Sequence, residues 1–247
     1  LSKSLVIIPT FNEKENIEDI IRKVFSLNSP FEILVVDDNS PDGTAVIVKD
    51  LINNEFKNKL HILERKGKLG LGTAYIKGFK WAIEHKYDNI FEMDADFSHN
   101  PNDLEKLLKA VDKDNIDLAI GSRYITGANV VNWPLGRVLM SVYASRYVQF
   151  ITGMPVKDTT AGFVCYRRKV LETLELDKIR FKGYAFQIEM KFLTWQYKFK
   201  IKEIPIIFTN RQKGVSKMNK SIFYEAFFGV IQMKWTSWFK KYKRKTK

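Results

Sequence analysis

"FEILVVDDNSPDGT", residues 31–44, runs an apolar stretch broken only by Glu32 into a cluster of aspartate, asparagine, serine, proline and glycine. Such a run, closed by turn-forming residues, reads as a strand buried on both faces, the kind found in parallel sheets covered by helices. Working outward, the pattern repeats. "SLVIIPT" (4–10) is a second apolar run, and residues 13–25 carry helical spacing. A helical segment at 44–56 is followed by strand "LHILER" (60–65), a helix at 73–85, strand "NIFEMD" (89–94), a helix at 101–111 and strand "DLAIGSR" (117–123). Strands alternating with helices predict an α/β fold: a mainly parallel central sheet flanked by helices, with ligands outside its carboxyl edge. Polar clusters fall at that edge, at residues 10–13, 37–42, 66–68 and 94–98 and at Ser122 with Arg123.

The second half is less regular: a helix at 135–151, then "DTTAGFVCYRR" (158–168), a helix at 186–195, strand "IKEIPIIF" (201–208) and "TNRQKGVSKM" (209–218). No linker rich in Gly, Pro or Ser and no internal repeat interrupts it, so residues 1–220 are expected to form one continuous domain. Residues 221–247 follow as an amphipathic helix and a basic tail.

A chain of 247 residues with 45% hydrophobic content can bury a sizeable core. Its one cysteine, Cys165, cannot form an intramolecular disulfide, which fits a reducing compartment and gives no support to a zinc cluster. No stretch reads as a signal peptide or a membrane span, because the longest apolar segment, at 222–239, is broken by Glu225, Gln232 and Lys234. The net charge of +13 invites a nucleic-acid reading, yet seven cations (Lys234, Lys240, Lys241, Lys243, Arg244, Lys245, Lys247) sit among the last fourteen positions without one acid. No recognised nucleic-acid motif accompanies them. In the helix before that tail, Phe223, Phe227, Val230, Ile231, Trp235 and Trp238 share one face, with Glu225, Gly229, Gln232 and Thr236 opposite. Two readings stand: a C-terminal helix docked on the core, or an interfacial helix whose lysines meet an anionic membrane surface.

"FEMDADFSHNP" (91–101) sets the chemistry. Strand alternation puts Asp94 and Asp96 on the same side, where two carboxylates repel unless a cation, proton or donor intervenes. Asp94, Asp96, Ser98, Asn100 and Glu105 match the spacing of a calcium loop, but His99 stands where the turn glycine belongs, Pro101 follows, and a strand precedes. An aspartyl-phosphate phosphatase needs Asp-x-Asp-x-Thr/Val early in the chain, and here Ser98 holds the fifth place on a fourth strand. Dinucleotide and P-loop fingerprints are absent: "PTFNEKEN" follows the first strand, "GKLGLGTA" lacks the spacing, and no G-x-x-x-x-G-K-[ST] occurs. Arg137 and Ser141 lie four apart on a predicted helix, hence on one face, and with Arg123 they make a candidate phosphate cradle.

"IIPTFNEKENI", "ILVVDDNSPDGT", "RKGKLGLGTAYIKGF", "MDADFSHNP", "GSRY", "DTTAGFVCYRR", "GYAFQIEM" and "NRQKGVSKM" together resemble, in order and spacing over residues 4–220, the family 2 glycosyltransferases of the dolichyl-phosphate (polyprenol-phosphate) mannose synthase type. That resemblance implies a GT-A fold, a donor such as GDP-mannose with UDP-glucose as the rival, a divalent metal (Mg or Mn), and a polyprenyl phosphate acceptor. It implies a nucleotide-sugar pocket of Pro9, Phe11, Glu13, Val35, Asp37, Lys68, Asp94, Ala95, Asp96 and Ser98, with Asp94, Asp96 and Ser98 at the metal. Arg211 and Lys217 would stabilise the leaving diphosphate, and Arg123, Arg137 and Ser141 would hold the lipid phosphate. Asp96, Arg123, Arg211 and Lys217 are the expected catalytic set. Each has a plainer reading beside it: Pro9 ends a strand, Asp37 and Asp38 cap a helix, Arg211 is a solvated loop cation and His99 is structural. The acceptor also implies a peripheral location at the cytoplasmic face of a membrane, and relatives of this type allow a small membrane protein as partner.

Overall fold

The computed structural model describes residues 2–211 and 221–244. In chain order the strands are β1 (Ser4–Thr10), β2 (Phe31–Asp37), β3 (Leu60–Glu64), β4 (Asn89–Glu92), β5 (Leu118–Ser122), β6 (Val130–Val131), β7 (Val164–Arg167), β8 (Ile201–Pro205) and β9 (Phe208–Thr209). The helices are α1 (Ile17–Phe25), α2 (Thr44–Asn54), α3 (Leu71–Glu84), α4 (Asp103–Lys113), α5 (Leu135–Thr152), α6 (Arg168–Thr173), α7 (Tyr184–Gln196) and α8 (Ser221–Trp238). Seven strands form one sheet in the order β3-β2-β1-β4-β7-β5-β8, and β6 pairs with β9 in a small second sheet. All pairings in the large sheet are parallel except those of β7, which runs against β4 and β5.

The strands are apolar on both faces because both faces are covered. Leu5, Ile7, Leu34 and Val36 enter one core, packed against Tyr75, Phe79, Phe186 and Phe192. Val6, Ile8, Ile33 and Val35 enter the other, with Ile17, Ile20, Leu104 and Leu107. Alternate residues of one strand thus serve opposite layers, as the pleat requires. Helix α3 lies so close to the sheet that a Cβ at Gly78 would stand 2.9 Å from Ile7. From β1 the chain moves outward through β2 to β3, then returns to the other side of β1 as β4. That reversal opens a crevice at the carboxyl edge between β1 and β4, where ligands of open α/β sheets bind.

Three expectations change. Helix α1 starts at Ile17 rather than residue 13: residues 13–16 form a turn whose Glu13 carbonyl accepts the Asn16 and Ile17 N–H groups, while the Glu13 and Lys14 N–H groups are held by Thr44 and Asp42 side chains. Strand β4 ends at Glu92, so Asp94 and Asp96 stand in a turn and not on a strand. On α8, Gly229 does not face solvent: a Cβ there would stand 2.5 Å from the Phe181 ring, so the helix comes close to the core here. Val230 and Met233 are buried beside it, whereas Phe228, Trp235 and Trp238 are exposed. A wheel with one apolar face misplaces such a helix, since α8 docks through one face and leaves a second apolar face open.

Candidate active site

The turn after β4 is shaped by its own side chains. The Asp96 carboxylate accepts the Ser98 N–H at 3.0 Å, closing an Asx turn, and Phe97 adopts the left-handed conformation (φ 59°). Asp96 is buried, and its other oxygen meets Arg211 Nη2 at 3.0 Å. Asp94 points more freely, with 38% of its side chain exposed and His99 Nδ1 its nearest cationic candidate at 3.8 Å. Burial, then the charge of Asp96, pushes Asp94 up to about 7. His99 supplies little compensation: stacked on Phe163 and edge-on to Phe208, it is driven down to about 4 by burial and is neutral at pH 7. Among the described residues no group of three or more His, Cys, Asp or Glu could hold a metal alone. Two crowded carboxylates, one of them held by Arg211, fit a hard cation whose remaining ligands come from a diphosphate. Ser98 and Ala95 are buried, Ser98 accepting the Thr209 N–H through its carbonyl oxygen.

At the ends of β1 and β2 the polar residues largely satisfy one another. Asp37 is fully buried and accepts hydrogen bonds from Thr10 Oγ1 (2.7 Å), Ser40 Oγ (2.6 Å) and the Ser40 N–H (2.8 Å). Asp38 is bound by Arg65 at 2.5 Å, and Arg65 also donates to Thr73. Asp37 therefore shapes the turn from behind, and Val35 lies wholly in the core, away from the edge. Glu13 accepts from Asn16 Nδ2, Pro9 is half-buried in β1, and Lys68 lies over the Phe11 ring at 5.2 Å. Arg65, Thr10 and Ser40 hold this wall in place, and no spacing rule pointed to them.

Across the crevice stands a second polar centre. Arg123 grips Asp158 through two side-chain bonds of 2.7 and 2.6 Å and its own backbone N–H, and donates to Thr160. Burial would raise Asp158, but the Arg123 charge and hydrogen bonds hold it below the usual carboxylate range. Tyr124, Trp133 and Phe208 rings surround the Arg123 guanidinium at 5.2 to 5.6 Å. Arg137 stacks 4.0 Å from the same Trp133 and donates to Asn210 Oδ1, while Ser141 accepts from the Tyr124 hydroxyl at 2.7 Å. The structure thus gathers Arg123, Arg137 and Ser141 around two aromatic residues; Lys217 lies outside the described residues. Asp158 sits in the quoted "DTTAGF", but a 35-residue separation left its pairing with Arg123 unread.

Residues 208–211 join the two centres. Phe208 packs on both His99 and Trp133, the Thr209 N–H bonds to Ser98, Asn210 receives Arg137, and Arg211 pairs with Asp96. Deeper still, Gln187 Nε2 donates to Glu92 and Lys191 Nζ to Ala161 O at 2.6 Å, all of it buried. Burial pushes Glu92 up to about 8 and Lys191 down to about 8.

A family model described as "Glycosyl transferase family 2" matches residues 5–175. The chain is 45% identical, over 93% of its length and 86% of the relative's, to a polyprenol monophosphomannose synthase of Mycolicibacterium smegmatis. It is 42% identical to an undecaprenyl-phosphate mannosyltransferase of Micrococcus luteus, over 92% of each chain. Among solved structures it resembles glucosyl-3-phosphoglycerate synthase from Mycobacterium tuberculosis with Mn2+ and UDP (TM-score 0.67, 17% identity, 96% of this chain and 80% of that one). It also resembles a mannosyltransferase from Pyrobaculum calidifontis with GDP-Man and Mn2+ (TM-score 0.56, 17% identity, 95% and 73%). The chain belongs to glycosyl transferase family 2.

Proposed function

We propose that the protein transfers mannose from GDP-mannose to a polyprenyl phosphate, releasing GDP, at the cytoplasmic face of a membrane. The observation that carries this reading is the 208–211 segment, which ties an acidic turn suited to a nucleoside diphosphate to an arginine and aromatic cluster suited to a phosphate monoester. The names of the relatives supply the sugar and the lipid. Arg123 and Arg137, with the Tyr124 and Ser141 hydroxyls, hold the acceptor phosphate against the crevice. A phosphate monoester is mostly dianionic at neutral pH, so it attacks the anomeric carbon without a general base, and displacement from the opposite face inverts that carbon. Arg211 on Asp96, with Lys217, steadies the departing diphosphate. Asp94 and Asp96 would hold a divalent ion, Mg or Mn, which when bound supplies Lewis-acid neutralisation of that diphosphate.

Helices α5 and α8 pack side by side through stacked Tyr147 and Phe227 and present Leu135, Tyr143 and Phe150 with Phe228, Trp235 and Trp238 to solvent. Among the described residues no helix is long and apolar enough to cross a membrane. An aromatic-rich surface of this kind suits insertion into the headgroup layer. The lysine-rich end contributes less than its charge implies, because Lys234 bonds Thr152 O, Lys240 pairs with Glu175, and Arg244 bonds the carbonyls of Tyr197 and Lys198.

The test is transfer of labelled sugar into an organic-extractable lipid, offering GDP-mannose or UDP-glucose with polyprenyl phosphate, with and without Mn2+. Metal-dependent label from GDP-mannose alone is expected. Label from UDP-glucose instead would change the donor and product while keeping the site.

A further inference from the structure

Beneath the crevice, one buried polar chain has no surface to serve. Lys191, fully buried on α7, spends its three ammonium protons on Ala161 O (2.6 Å), Gln187 O (3.2 Å) and Gln187 Oε1 (3.2 Å). The Gln187 amide passes the polarity on, its Nε2 donating to Glu92 Oε2. Both ends of this chain abut the site. Glu92 closes β4 two residues before Asp94, and the Ala161 N–H bonds back to the carbonyl of Asp158, the partner of Arg123.

Burying such charges brings little stability, since apolar side chains of similar volume commonly do as well. What an ammonium adds over a methionine of like length is three directed bonds at fixed positions. We infer that Lys191 is a positioning residue for glycosyl transfer: with Gln187 it sets the acidic Asp94–Asp96 turn and the Arg123–Asp158 pair at the separation that in-line attack requires. This rests on the transfer reading above. Alignment of attacking and departing groups is worth orders of magnitude in rate, and a small displacement is enough to lose much of it.

The experiment uses the full chain and two variants, Lys191→Met and the double variant Glu92→Gln with Lys191→Met, which leaves no buried charge without its partner. Steady-state transfer from GDP-mannose to polyprenyl phosphate, calorimetric affinity for GDP with Mn2+, and the thermal midpoint are measured for each. The expected result is a kcat at least about tenfold lower in both variants, with GDP affinity and both KM values within about twofold of the unsubstituted protein. A kcat within about twofold in both variants overturns the inference, and so does a loss matched by equal losses in GDP affinity and midpoint. If neither variant folds, the chain is a stability element and the inference falls. Absence of transfer by the unsubstituted protein removes the transfer reading and this inference with it; normal transfer with unimpaired variants removes the inference alone.

Discussion

The half of the sheet from β1 to β4 and the half containing β5, β7 and β8 place polar groups by different means. In the first, charged side chains stand where parallel strands end and are held largely by near neighbours: Asp37 by Thr10 on the adjacent strand and by Ser40 three residues on, Asp96 by the Ser98 N–H two residues on, with Arg211 as its distant partner. In the second they are held by partners far along the chain, Arg123 by Asp158 and Arg137 by Asn210, 73 residues away. The difference is one of closure. A strand end delivers its residue to the edge through topology alone, whereas a long-range ion pair forms only after an antiparallel strand and a helix have been brought in. The first half can therefore keep a half-buried Asp94 that its surroundings push up to about 7 without loss of fold, and the second half makes its charges part of the fold.

The comparison breaks most visibly at Asp96. Replacing it with asparagine is expected to lower transfer by about 10²–10³-fold, since one group aimed at developing charge is worth that much, while the circular dichroism spectrum stays unchanged. Full activity in Asp96→Asn would mean that the acidic turn is not the reacting edge.

Asp158→Asn asks the complementary question of the other half. It leaves the buried Arg123 guanidinium without a counter-charge and is expected to cost about 3–5 kcal/mol in urea unfolding. The sign with pH follows from the depressed folded pKa of Asp158. Its stabilisation is complete above the ordinary aspartate value near pH 4 and is lost as pH falls through the lower folded value, so stability declines on the acid side. In Asp158→Asn that part of the acid-side slope should flatten; an unchanged slope and midpoint would show that the pair contributes nothing.

What was legible in the sequence divides along the same line. β1 reads as Ser4–Thr10 from its apolar run and closing proline, and the polar ends of β1, β2 and β4 follow from that. The sequence places Asp94 and Asp96 on one side of a strand; they stand instead in the turn after β4, where the charge of Asp96 raises Asp94. Asp158, Trp133 and Asn210 went unread as site residues: each acquires its place from an element remote in sequence. Lys191 carries no signal of its role in the sequence, since periodicity holds no information about a buried acceptor 30 residues away.

Helix α8 refines the comparison, since it binds the second half by packing instead of charge. Gly229→Ala places a methyl 2.5 Å from the Phe181 ring and is expected to cost about 1–3 kcal/mol, with part of it recovered in a Phe181→Leu background. Additive effects of the two substitutions, measured by denaturation, would mean that helix and ring do not meet as described.

The smallest effect on stability is expected where the same helix faces outward. Trp235 and Trp238 are 59% and 65% exposed, touch each other and fill no cavity. Changing both to serine should therefore shift the unfolding free energy by no more than about 0.5 kcal/mol, as for other surface positions. Sedimentation with phosphatidylglycerol vesicles should fall sharply, because each ring carries apolar area whose transfer from water drives interfacial binding. A chain truncated after residue 220 would not make this distinction, since it also removes Val230 and Met233 from the core. Loss of stability without loss of vesicle binding would turn the result around: the tryptophans would then belong to the packing of the second half, and the membrane contact would have to be sought on α5 alone.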